Sequence, residues 1–149
     1  MGNNMELDYE MFCYQCEQTA NGKGCTRLGV CGKTPEIANL QDLLIYQVKG
    51  ISCYGKVLSE LGHPIEKAVI AFIESVLFTT LTNVNFDNDA IRDFIHRVIA
   101  ERERIGSTPV PVISLWDGAN DIVSLRSTLL FGLKGMSAYA PVSYTHLRA

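Results

Sequence analysis

Four of the chain's five cysteines fall within nineteen residues: Cys13, Cys16, Cys25 and Cys31, in the stretch CYQCEQTANGKGCTRLGVC. Thiols this close together can cross-link, hold zinc, hold iron and sulfide, or act as nucleophiles. Disulfides need an oxidising compartment, and nothing in the sequence points to one. A redox C-x2-C usually opens a helix in an α/β pattern, which is absent here. Zinc sites of four cysteines tend to show two short pairs, whereas only the first pair of C-x2-C-x8-C-x5-C is short. The wider, uneven spread suits a larger metal core. Spacing alone leaves iron–sulfur and zinc both open, with iron–sulfur the better match. Gly22, Gly24, Gly29 and Gly32 let the backbone approach such a core and adopt positive φ, and Lys23, Arg27 and Lys33 put positive charge beside an anionic thiolate site.

A helix must follow the cysteine loop directly. Thr34 is a suitable N-cap, Pro35 suits the first helical position, and Glu36 complements the positive helix start. Ile37, Leu40, Leu44, Val48 and Ile51 recur at spacings of three and four, with Gly62 as the stop near Leu61. A second helix is predicted from Pro64 through PIEKAVIAFIESVLFTTLTNV, its apolar face carrying Ile65, Val69, Phe72, Ile73, Val76, Leu77 and Leu81. A third spans about 89–105, capped by Asp87 or Asp89, with Ile91, Phe94, Ile95, Val98 and Ile99 inside and Gly106 at its end. STPVPVISLWDGAN reads as a loop because its closely spaced prolines break either regular pattern.

The chain then repeats itself. Residues 36–55 align without gaps to 121–140, with seven identities in twenty: Ile37/Ile122, Leu40/Leu125, Leu44/Leu129, Lys49/Lys134, Gly50/Gly135, Ser52/Ser137 and Tyr54/Tyr139. The repeat is too long for a solenoid and indicates a duplicated helical bundle. Cys53 aligns with Ala138, which marks it as a buried small hydrophobe outside the ligand set.

Hydrophobic residues make up 47% of the 149 and charged residues 19%, a globular composition. The net charge is −3 and there is no basic stripe, so nucleic-acid binding has no support. No stretch is long and apolar enough to span a membrane, and the acidic N-terminus lacks an apolar export signal, so a reducing, cytoplasmic setting is expected. His63 and His96 stand in a turn and on a charged helix face, without neighbouring cysteines, and are read as surface residues.

The segment MFCYQCEQTANGKGCTRLGVCGKTPEIANLQDLLIYQVKGIS closely resembles the N-terminus of the hybrid-cluster proteins, also called prismane proteins or hydroxylamine reductases. The likeness resumes at TNVNFD and at DIVSLRSTLLFGLKGMSAYA. It implies an all-α N-terminal domain of two three-helix bundles in a much longer enzyme. It also implies that Cys13, Cys16, Cys25 and Cys31 hold one cluster, a 4Fe-4S cubane with this cysteine spacing and 2Fe-2S where the spacing is longer. The cubane would take electrons from an external redox protein and pass them to a hybrid Fe-S-O cluster held by His, Glu and Cys residues of later domains. That second cluster would reduce hydroxylamine to ammonia, and is also linked to nitric oxide. None of its ligands is expected here, so this chain has no catalytic residue of its own and should be inactive alone. A zinc-stabilised helical interaction module without redox function is the alternative.

The expected organisation is all-α. Residues 1–10 are an extension or misplaced start, 11–33 the iron–sulfur cysteine loop, 34–106 a three-helix bundle, 107–120 a loop, and 121–140 the start of a second bundle, truncated. Residues 141–149, PVSYTHLRA, read as a translated sequencing adaptor that interrupts the native helix, with Pro141 a poor continuation of it and the tail expected to be disordered or only arbitrarily structured.

Overall fold

The computed structural model describes residues 10–16, 18–82, 84–106 and 117–146, with side chains through 140. Residues 1–9 of the expected N-terminal extension, most of the 107–120 loop, and the last three residues lie outside the described residues.

Local signals set the helix ends. The first helix, α1 (Pro35–Glu60), starts where Thr34 Oγ1 accepts the Ile37 N–H at 3.3 Å. It stops at Gly62, whose φ of 80° suits glycine. There the Gly62 N–H donates to Ser59 O (3.1 Å) and the His63 N–H to Leu58 O (2.9 Å). Asp87 caps α3 (Asn88–Ile105), its carboxylate accepting the Asp89 and Ala90 N–H groups at 2.9 and 3.0 Å. Gly106 ends that helix at φ 104°.

The second helix is shorter than its apolar run. α2 spans Lys67–Thr79 and does not open at Pro64. Ile65 is the reason: it leaves the helix path to pack against the bundle core, so close to Gly55 that a Cβ there would meet Ile65 Cδ1 at 2.8 Å. Glu66 at ψ 132° is consequently the helix cap. At the other end the Thr80 hydroxyl donates to Leu77 O, and the chain turns before Leu81.

One core joins these three helices: Ile37, Leu44, Val48 and Ile51 of α1, Val69 and Val76 of α2, and Ile91, Ile95 and Val98 of α3. Leu44, Val76, Ile91 and Val98 are fully buried. The last helix, α4 (Asn120–His146), packs on α2. The duplicated positions part company here. Leu44 is sealed in the core while its counterpart Leu129 is 66% exposed, and Leu125 and Met136 are exposed to the same degree or more. The backbone also departs from one expectation. Pro141 removes a ladder hydrogen bond, yet α4 runs through it to His146. Among the described residues there is no β-strand, and no helix is long and apolar enough to cross a membrane.

Candidate metal centre

The cysteine loop lies across the start of α1. Met11 and Cys25 pack with Ala38 of α1 in a small apolar cluster, and Asn39 Nδ2 donates to Glu10 O at 2.9 Å. Within the loop, Cys13 and Cys25 form an isolated antiparallel bridge, each N–H donating to the other's carbonyl at 2.9 Å. The bridge is possible because Gly24 adopts φ 123° and has no side chain; a Cβ there would meet the Phe12 ring at 2.4 Å. Gly29 is different from the expectation. Its φ is not positive, but it is required for closeness, since a Cβ would come 3.1 Å from Cys31 Sγ. A tight turn carries Cys31, with the Gly29 N–H donating to Lys33 O and the Gly32 N–H to Gly29 O, both at 2.8 Å.

All four cysteines are free thiols. Cys25 is buried, and its Sγ receives the Ala20 N–H at 3.4 Å, with Thr19 Oγ1 at 3.8 Å. Burial pushes its thiol up, but the Ala20 and Val30 N–H groups and the Thr19 hydroxyl outweigh that, and the pKa falls below the usual thiol range. Cys13 goes the other way. Burial raises its thiol, against the pull of Lys33 and the Gln15 N–H, while Asp42 pushes the same way as burial. Cys16 and Cys31 line a groove of ≈ 790 Å³ between the loop and α4. Among the described residues, no three Cys, His, Asp or Glu side chains are gathered tightly enough to hold a single metal ion.

The three loop charges separate sharply. Lys23 and Arg27 are exposed, whereas Lys33 is only 3% exposed and its Nζ lies 4.0 Å from Cys13 Sγ. A second buried lysine, Lys134 of α4, donates to Thr80 O at the end of α2 (3.1 Å). Burial first, and then the charge of Lys33, lower its pKa to about 8 against the opposing pull of Asp42 and Cys13. Lys134, Gln15 and Ser127 were not singled out by the sequence as site residues. The repeat held a signal for Lys134, because Lys49/Lys134 is the one charged identity in it.

Cys53 lies on α1 outside this loop and is half-buried, less enclosed than its alignment with Ala138 implies. His63 and His96 are exposed.

The donor set suits an anionic, thiolate-bound group. It has four free thiols on one loop, backbone N–H groups aimed at sulfur, a buried ammonium beside Cys13, and room in the groove at Cys16 and Cys31. A family model described as "Prismane/CO dehydrogenase family" matches residues 11–146. A hydroxylamine reductase of Syntrophobacter fumaroxidans is 43% identical over 161 aligned positions, covering 87% of this chain and 30% of that protein. One from Bacteroides thetaiotaomicron is 43% identical over 158 positions (91% and 28%), and one from Halothermothrix orenii 39% over 168 (90% and 30%). The chain spans less than a third of the length of these curated relatives.

Proposed function

This chain belongs to the Prismane/CO dehydrogenase family, and on that premise we propose that it is the N-terminal electron-transfer part of a hydroxylamine reductase. Cys13, Cys16, Cys25 and Cys31 would hold one 4Fe-4S cluster. The observation that carries this reading is the cysteine loop itself. Its four thiols are unpaired, two of them are fixed by the Cys13–Cys25 bridge, and N–H groups and a buried lysine face the sulfurs.

When bound, such a cluster supplies one-electron transfer; four thiolates leave its irons no open position for substrate. The chain's own residues hold and tune it. The Ala20 N–H favours the Cys25 thiolate, and Thr19 Oγ1 lies 3.8 Å from the same sulfur while its hydroxyl donates to Cys13 O. Lys33 offsets negative charge at Cys13. An external redox protein would be the electron source. The remainder of the longer protein would carry a hybrid Fe-S-O cluster and the chemistry, in which hydroxylamine, two electrons and two protons give ammonia and water. Nitric oxide is a second candidate substrate of that later site.

Anaerobic reconstitution with iron and sulfide tests the reading. The chain should turn brown, with a broad visible absorption that dithionite bleaches, and should reduce no hydroxylamine by itself. A colourless chain that instead binds stoichiometric zinc would replace this reading with a zinc-stabilised helical module.

A further inference from the structure

Two polar side chains near the cysteines have no partner inside the protein. Gln15, between Cys13 and Cys16, is 6% exposed, and neither its amide nitrogen nor its carbonyl oxygen is hydrogen-bonded. Ser127 of α4 is 5% exposed, and its hydroxyl is likewise unsatisfied. A buried unpaired polar group costs about 1–3 kcal/mol, so two at one place call for a cause. Both line the groove that holds Cys16 and Cys31.

Ser127 also lacks the local bond that the other buried serine of the described helices, Ser137, makes. A helical serine or threonine cut off from solvent can satisfy itself on a carbonyl one turn back. Ser52 does so on Val48 O, Ser75 on Phe72 O, Thr128 on Ser124 O and Ser137 on Lys134 O. Ser127 does not, and its hydroxyl stays available to the groove. In the repeat it aligns with Asp42, whose charge acts on Cys13 from α1.

We propose, resting on the iron–sulfur reading above, that the Gln15 amide and the Ser127 hydroxyl donate hydrogen bonds to sulfur atoms of the group held by the four cysteines. Sulfur in such a group accepts weak hydrogen bonds, and each donor favours the more negative, reduced form. They are tuning residues and not ligands. The ligand set stays within one loop, while the potential depends on a helix more than ninety residues away.

The test is voltammetry of the anaerobically loaded chain. Gln15→Leu and Ser127→Ala should each retain iron and sulfide and each lower the midpoint potential, about 59 mV for every tenfold loss in the one-electron reduction equilibrium. Ser127→Thr keeps the hydroxyl and should restore the wild-type value. Thr128→Val, which removes a hydroxyl already bound to Ser124 O, should leave the potential unmoved. Should Gln15→Leu fail to hold iron, Ser127→Ala decides the matter alone, because it leaves the cysteine loop untouched. An unmoved potential in a loaded Ser127→Ala chain overturns the proposal. A wild-type chain that takes up no cluster overturns instead the reading on which it rests.

Discussion

Lys33 Nζ lies 4.0 Å from Cys13 Sγ, inside the protein, with the lysine only 3% exposed. Charge at this depth acts through a far lower effective dielectric than charge in solvent. Lys33→Gln should therefore lower the midpoint potential of the loaded chain by on the order of 60 mV, the one-electron equivalent of a tenfold change. Lys23→Gln and Arg27→Gln, both at exposed positions, should move it far less. Equal shifts from all three in voltammetry would mean that burial is not what matters.

Serine at Cys13, Cys16, Cys25 or Cys31 replaces a soft thiolate with a hard oxygen and should lose or convert the cluster. Cys53→Ala should keep it in full, since Cys53 lies on α1 and its repeat counterpart is Ala138. Iron and acid-labile sulfide per chain measure both. Iron loss from Cys53→Ala equal to that of the serine variants would refute the ligand assignment.

Gly24→Ala carries two penalties, a strained φ of 123° and a Cβ 2.4 Å from the Phe12 ring. It should destabilise the loop by about 2–4 kcal/mol. Gly32→Ala has the strain alone, at φ 89° with open space around it, and should cost about 1–2 kcal/mol. Urea unfolding of the apo chains gives the difference. Adding Phe12→Leu should recover part of the loss in Gly24→Ala and none in Gly32→Ala.

Lys134 sets a pH slope. Burial lowers its pKa from 10.5 to about 8, with Lys33 adding to the fall and Asp42 and Cys13 opposing it. Between these values the unfolded chain binds the extra proton. Stability linked to Lys134 is thus fully present above pH 10.5 and is lost as the pH falls through about 8. The apo chain should gain up to roughly 3 kcal/mol across that window. Lys134→Met should remove that part of the slope, measured by urea unfolding at several pH values; an identical slope in both chains would show that the lysine is not desolvated.

What the sequence made legible was local. Thr34, Gly62 and Asp87 cap and stop helices through bonds to residues within a turn, so their types alone placed three helix ends. The cysteines were legible for the same reason, being close in the chain. The start of α2 was not, because Ile65 follows the tertiary core and not the helical period. Neither was the difference between Lys33 and its two neighbours, since burial of a loop lysine depends on what packs over it. Gln15 and Ser127 show the limit most clearly. Each is an ordinary polar residue in sequence, and only their shared groove and unsatisfied atoms single them out.

The Cys13–Cys25 bridge has a bearing on how the site is built. Its two 2.9 Å hydrogen bonds close the intervening segment by backbone alone. On the proposed ligand set, half would therefore be held in register by the protein's own backbone, with the loop-closure entropy of that half met during folding. The other two, Cys16 and Cys31, line the open groove, Cys31 on the turn closed by the Gly29–Lys33 hydrogen bond. Delivery would proceed from the groove side, with the bridged pair as a fixed floor.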